Sequence, residues 1–172
     1  MNKGHHYPLQ YFQSHQPSTS AIDFIPVEDW HIEHVAKYMR QADKDEVWAS
    51  NRSYPIDAVG NSVDISDWAY TIMIDDLPLG IVGMGTANEL AAIGIPWMLG
   101  TIDVKYYAKS FLRASRITFE DMCKNYPAMV NFVHCENTVS IRYLKALGFT
   151  IGSVYNIGIG GEAFYKFSWG KI

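Results

Sequence analysis

The chain has 172 residues, of which 48% are hydrophobic and 14% aromatic, and its formal net charge is −4. A chain of this size and hydrophobicity is expected to fold as one globular domain with a substantial core. The negative charge argues against nucleic acid as the main partner. The lack of an apolar run of roughly 18 residues argues against a membrane span, and we expect no signal peptide.

The first half of the chain predicts a polar tail, then one strand and two helices. Residues 1–20 are rich in His, Gln, Ser and Pro and are expected to form a tail, which leaves residues 21–172 as the domain. In chain order the predicted elements are a strand at 21–27, a helix from Asp29 to about Arg40, a short helix at 43–50 and a loop at 51–61. The loop is predicted because this stretch contains Pro55 and Gly60.

The second half alternates strands with two helices. In chain order we predict strands at 68–74 and 79–86 joined as a hairpin, a strand at 93–99 that Pro96 interrupts, a helix at about 103–125, a strand at 127–135, a helix after Asn137, and strands at 149–156 and 162–169. This order predicts an α/β fold in which a mixed, twisted sheet carries helices on both faces.

The predicted helix at 103–125 has apolar residues at every third or fourth position, which is typical of a helix with one buried face. Phe111 and Phe119 fall on that face and are expected to be buried. Arg113 and Glu120 fall elsewhere and are expected to be exposed. Asp103 is a natural N-cap for this helix.

The run from Asn137 to Phe149 carries the clearest local pattern. Asn137 is a good helix N-cap, and Ile141 and Leu144 follow at helical spacing, so they are expected to face the sheet. Gly148 suits the left-handed residue that often ends a helix. These residues fit an ordinary αβ unit of any α/β domain equally well.

Five segments of the chain form a more specific combined pattern. They are Trp48-Ala49-Ser50, Ile95 to Thr101, Phe111 to Arg116, Tyr126-Pro127 and Asn137 to Phe149. Together they resemble a GNAT-like family (GNAT, GCN5-related N-acetyltransferase) encoded by phages and prophages, which includes internal virion protein A of short-tailed phages. The resemblance covers residues 22–169. It implies a GNAT-like sheet, action through contacts with phage or host proteins, and a location in the host cytoplasm or the virion.

The stretch from Leu99 to Tyr107 departs from the loop with which GNAT enzymes bind the pyrophosphate of acetyl-CoA. That loop has the form Q/R-x-x-G-x-G/A, and its glycines let backbone N–H groups approach the phosphates. Here only Gly100 remains, and Asp103 would place a carboxylate near the anion. We therefore expect no cofactor and no tight binding of acetyl-CoA.

The alternative hypothesis is an active N-acetyltransferase that binds acetyl-CoA atypically and acetylates an amine. The resemblance then implies that the strand edge at Met98 and Leu99 holds the pantetheine arm. Gly100 and Lys105 would lie near the phosphates, and Asn137 matches an Asn of the family. A third hypothesis is a small-ligand or peptide binder that uses the splay between strands four and five.

The resemblance also implies two catalytic candidates, Asn137 and Tyr143. Many GNAT enzymes protonate the leaving thiolate with a Tyr seven residues after the Asn, and that position here is Leu144. Tyr143 lies about 100° around the helix from it, so we expect Tyr143 to pack away from the splay. Helix capping explains Asn137 without a cofactor.

Other candidate chemistry is weaker. His134 and Cys135 are neighbours on a predicted strand and should point to opposite faces, so they are not expected to act as base and nucleophile. His31 and His34 share a helix face but lack a third ligand, so no metal site is predicted. Cys123 and Cys135 are expected to be reduced thiols of a cytosolic protein.

Overall fold

The computed structural model describes residues 22–88 and 90–171, which form a seven-stranded sheet and five α-helices. In chain order the elements are β1 (Ile22–Pro26), α1 (Asp29–Lys37), α2 (Gln41–Asn51), α3 (Pro55–Asp64), β2 (Trp68–Ile74), β3 (Leu77–Asn88), β4 (Ile93–Gly100), a 3₁₀ helix (Ile102–Tyr106), α4 (Ala108–Asn125), β5 (Ala128–His134), α5 (Thr138–Leu147), β6 (Thr150–Asn156) and β7 (Ala163–Gly170). The predicted tail at 1–20 lies outside the described residues. No helix in the described part of the chain is long and apolar enough to cross a membrane.

The strand order in the sheet is β1-β2-β3-β4-β5-β7-β6. All neighbours pair antiparallel except β4 and β5, which are parallel and pair only at Ile93 with Ala128 and at Gly94 with Met129. Beyond these two pairs the strands separate toward their carboxyl ends. The predicted α/β fold with a mixed sheet is confirmed.

Helices cover both faces of the sheet. One face carries α1, α2 and α3: Val35 of α1 and Val59 of α3 belong to one core cluster with Ile81 of β3, and Val47 of α2 packs against that cluster. The other face carries α4 and α5, which pack on β3 and the β5–β7–β6 half of the sheet. The structure therefore has three layers, with the sheet in the middle.

The orientation predicted for the long helix is confirmed. Phe111 and Phe119 are only 3% and 8% exposed, and Arg113 and Glu120 lie on the solvent side. The start of the helix was predicted wrongly: α4 begins at Ala108, after the separate 3₁₀ helix. Asp103 lies inside that 3₁₀ helix, so it does not cap α4.

The loop predicted at 51–61 is also wrong, because α3 occupies most of it. Pro55 stands in the first turn of α3, where its missing N–H has no intrahelical partner to lose. Gly60 lies in open space on the helix surface. The helix α1 in turn ends three residues before Arg40, since residues 38–40 pair with the end of β4: Arg40 N donates to Gly100 O at 3.0 Å.

The ends of α5 agree with prediction. The Asn137 side chain accepts a hydrogen bond from Ser140 N at 3.2 Å, which caps the helix. Gly148 ends it with a φ of 107°, a left-handed conformation that favours glycine. These two residues fix where α5 starts and stops, and so place its side chains over the separation of β4 and β5.

Candidate active site in the splay between β4 and β5

Pro96 lies where the parallel ladder ends. In the β3–β4 ladder it pairs with Met84 of β3. The Met84 carbonyl accepts a hydrogen bond from Asp67 N, so the backbone of Met84 faces β2. The N–H and C=O of a strand residue point to the same side, so the backbone of Pro96 faces β5. Proline has no N–H to donate there, and its carbonyl accepts Asn131 Nδ2 at 3.0 Å. The predicted interruption of the strand at Pro96 is wrong, because β4 runs through it to Gly100, but the ladder with β5 cannot continue.

A cavity of about 340 Å³ occupies the resulting splay and reaches both faces of the sheet. Val82 and Met98 line it on the face covered by α4. Trp97 and Leu99 line it on the face covered by α1 to α3. The two faces of the sheet therefore communicate through the splay.

Two carboxylates of α2 bind the ends of the separated strands. Asp43 Oδ2 accepts Gly100 N of β4 at 3.0 Å, and Glu46 Oε2 accepts His134 N of β5 at 3.1 Å. One turn of α2 thus replaces the hydrogen bonds that the two strands no longer make with each other. Asp43 is 3% exposed and forms a bidentate ion pair with Arg40, at 2.7 and 3.0 Å, so its charge is compensated.

Glu46 is the titratable group best suited to proton transfer in the cavity. Burial raises its pKa to about 7, an effect that the Asn137 hydrogen bond at 2.8 Å opposes and the nearby Asp43 charge reinforces. Asn137 Nδ2 and His134 N both bind Oε2, which leaves Oε1 for the cavity. A carboxylate with a pKa near neutrality can both accept and return a proton at physiological pH.

Tyr143 also lines the cavity, so the prediction that it packs away from the splay is wrong. Leu144 lines the cavity as well. Two adjacent residues of α5, about 100° apart around the helix, therefore both contribute to the cavity wall. Burial raises the pKa of Tyr143 to about 12, against the opposing effects of a hydrogen bond with Ser115 and the charge of Arg40. The hydroxyl is therefore neutral, and Ser115 is its hydrogen-bond partner in this structure.

Comparison with known proteins identifies the architecture. No protein-family model matches the sequence, and no curated protein matches it in sequence. A spermidine N-acetyltransferase from Vibrio cholerae, solved with CoA and spermine, is similar with a TM-score of 0.65 at 11% identity, over 88% of this chain and 96% of that one. MccE, the microcin C7 self-immunity acetyltransferase solved with acetyl-CoA and AMP, gives 0.64 at 11%, over 89% and 94%. A GNAT-family acetyltransferase from Bacillus anthracis gives 0.60 at 11%, over 88% and 96%.

The chain has the GNAT fold. The segment between β4 and α4, which the sequence marked as atypical for a GNAT enzyme, is a 3₁₀ helix rather than an open glycine loop. Burial lowers the pKa of His34 in α1. The nearby charge of Asp103, in the 3₁₀ helix, opposes this effect in part. The first turn of α4 carries no acidic residue and no side-chain cap, and Lys105 and Lys109 are exposed beside it.

The structure brings together some of the predicted cofactor residues of this GNAT fold and separates others. Met98 and Leu99 line the cavity. Gly100 is not available to a phosphate, since its N–H binds Asp43 and its carbonyl binds Arg40 N. Lys105 lies outside the cavity, 4.8 Å from the ring of its neighbour Tyr106.

Asn137, the other predicted site residue, lies just behind the cavity wall. It is 2% exposed and binds Glu46 and the first turn of α5. Its amide is therefore committed to positioning a carboxylate in addition to capping, which the sequence did not indicate.

Glu46 and Asp43 were missed in the sequence. Their i, i+3 spacing, which places both on one face of a helix, was an available signal, and Arg40 lies three residues before Asp43. A pair of acidic residues on a short helix is far more often solvent-exposed than buried. Only the packing of α2 across the splay identifies these two as site residues.

The remaining candidates take no part in the site. The His134 ring packs on Phe164 at 5.1 Å, and burial raises the pKa of the Cys135 thiol, which keeps it protonated. His31 Nδ1 is bound by Glu28 N and lies 2.9 Å from the Thr71 hydroxyl. Within residues 22–88 and 90–171, no three His, Cys, Asp or Glu side chains are grouped to hold a metal ion.

Proposed function

We propose that this protein is an N-acyltransferase that moves an acyl group from a coenzyme A thioester to an amine. The single observation that supports this most is the cavity that joins the two faces of the sheet, with Tyr143 on the α5 side and Glu46 on the α2 side. Such a passage lets donor and acceptor meet from opposite faces without competing for one binding surface.

The chemistry assigned to the two residues follows from their protonation. The amine nitrogen attacks the thioester carbonyl carbon, the C–N bond forms and the C–S bond breaks. Glu46, with a pKa near 7, accepts the proton that the amine must lose. Tyr143 is neutral near physiological pH and exchanges its hydrogen bond with Ser115 for one donated to the thioester. The thiolate leaves and takes up a proton from water, and Glu46 releases the proton of the amine to water.

The residues present fit the pantetheine arm of a coenzyme A thioester better than its phosphate end. The backbone of Met98 lies past the last β4–β5 pair and lines the cavity, as an edge for an extended pantetheine arm requires. At the phosphate end the residues on offer are Lys105, Lys109 and the uncapped first turn of α4. We expect the donor to bind through its thioester half more than through its pyrophosphate.

The test is thiol release from acyl-CoA thioesters with a panel of amines and peptides. Glu46→Gln should reduce turnover by about 10²–10⁴-fold, the range for loss of a general base. Glu33→Gln is the matched control, because Glu33 is exposed on α1, outside the cavity. Transfer that survives Glu46→Gln undiminished would contradict the role given to Glu46. Failure of every thioester to bind would contradict the acyltransferase itself.

A second candidate is a phage-encoded protein that acts through protein contacts in the virion or the host cytoplasm, without a donor. It is favoured by the atypical phosphate segment and by exposed apolar side chains at the α2 end of the cavity: Trp48, Tyr54, Ile157 and Ile159 are 47%, 66%, 50% and 65% exposed. The β6–β7 turn joins this group to α2, since Ile159 N donates to Ala49 O at 3.1 Å. Absence of binding to every thioester would favour this candidate.

A further inference from the structure

The half of the cavity under α4 and α5 is lined mainly by apolar side chains. Its walls come from β3, α4, α5 and the residue before β6, and the apolar side chains that form them are Val82, Phe119, Met122, Leu144, Leu147 and Phe149. These residues also belong to a core cluster of the protein, so this half of the cavity lies against the core.

The two hydroxyls on this wall do not make it polar. Ser115 Oγ donates to Phe111 O at 2.7 Å, and Thr118 Oγ1 donates to Ala114 O at 3.2 Å. Both hydroxyls are thus bonded to the helix that carries them, and Ser115 is also bonded to Tyr143, so neither is left without a partner. Because these hydroxyls are already hydrogen-bonded and their neighbours on this wall are apolar, the wall suits hydrocarbon better than a polar arm.

The lining of the apolar half reaches from the splay to the β6 and β7 side of the sheet. The splay opens beside Pro96 and Met98 of β4, and Tyr143 lies there. Phe149 and Phe167, at the far end, belong to the β6 and β7 side of the sheet, beyond β5. A single methyl group would leave that space empty, at a large loss of packing for a core.

We propose that the acyl group carried by the donor is a linear aliphatic chain of medium length, longer than acetyl, whose tail lies between α4, α5 and the β5–β7–β6 half of the sheet. This rests on the acyltransferase function proposed above. The occupant is a chain attached to the thioester because the apolar half is continuous with the splay and with Tyr143. Leu147 then limits the length of chain that fits, since it lines the cavity one turn beyond Tyr143.

The test is titration calorimetry of the whole protein with CoA, acetyl-CoA, butyryl-CoA, hexanoyl-CoA and octanoyl-CoA, each below the concentration at which it forms micelles. We expect affinity to rise by about fourfold for each added methylene until the chain fills the cavity, since a buried methylene contributes about 0.8 kcal/mol. Leu147→Trp should flatten this series and leave the affinity for free CoA unchanged.

Val139→Trp is the matched control, because Val139 is 48% exposed on the same helix and should leave the series as it is. If Leu147→Trp does not fold by circular dichroism, Leu147→Phe serves in its place, with a smaller reduction of the slope. Equal affinity for acetyl-CoA and octanoyl-CoA in a protein that binds CoA would overturn the chain-length proposal alone. Failure to bind CoA and all its thioesters would overturn the acyltransferase as well.

Discussion

Asn137 donates a hydrogen bond from Nδ2 to Glu46 Oε2 at 2.8 Å, although the two residues are 91 positions apart in the chain. The same Nδ2 lies 3.3 Å from Asp43 Oδ1, and the Asn137 Oδ1 caps α5. One side chain therefore links the acid–base group of α2 to the start of the helix that carries Tyr143. The distance between the side chains of Glu46 and Tyr143 depends on this link.

Replacing Asn137 separates its two roles. Asn137→Ser keeps a good N-cap but removes the amide donor, so the pKa of Glu46 should rise above about 7. Asn137→Ala removes both and should cost roughly 1 kcal/mol more in unfolding free energy. Carbon-detected NMR titration of the Glu46 carboxyl and denaturant melts measure the two effects. A Glu46 titration that is unchanged in Asn137→Ser would mean that the hydrogen bond does not control this carboxyl.

Glu46 should make stability depend on pH in the opposite sense to a salt-bridged carboxylate. Its folded pKa of about 7 lies above its ordinary value of 4.5, so the folded state binds the proton more tightly. Stability from this group is present below about pH 4.5 and is lost as the pH rises through 7. Glu46→Gln should therefore be more stable than the parent near pH 8, by about 2–3 kcal/mol, and lose this advantage near pH 4.5. Thermal melts of the parent and Glu46→Gln at both pH values, with Glu33→Gln as control, measure this difference in stability.

Tyr143→Phe should reduce acyl transfer by about tenfold, the effect of one lost hydrogen bond. A general acid would contribute about 10²–10⁴-fold, but a hydroxyl with a pKa of about 12 is poorly matched to a thiol near 8.5. The measurement is kcat/KM for thiol release. A loss of a thousandfold would show that the hydroxyl delivers its proton after all.

Phe111→Ala should lower the unfolding free energy by roughly 3–5 kcal/mol, because Phe111 is 3% exposed among core residues of β2 and β3. Arg113→Ala, on the solvent side of the same helix, should change it by no more than about 0.5 kcal/mol. Denaturant melts compare the two. Equal effects would contradict the packing of α4.

The sequence predicted the features that depend on residues within a single helix. The cap at Asn137, the left-handed Gly148 and the buried face of α4 all follow from spacing within one helix. Pro55 was ambiguous, since the same proline that breaks a helix interior also suits its first turn. The orientation of Tyr143 depends on how wide the sheet opens beneath α5. The pKa of Glu46 depends on a helix packing across two strand ends, which no window of sequence contains.

Asp43 and Glu46 accept hydrogen bonds from the backbone N–H groups of Gly100 and His134, and this arrangement limits how the site can evolve. Glu46 serves both the cohesion of the two half-sheets and the proposed proton transfer, so only a substitution that keeps its acceptor oxygen, as Glu46→Gln does, can change one without weakening the other. New acceptor preferences should therefore arise at the rim formed by Trp48, Tyr54 and the β6–β7 turn, and α2 should resist change.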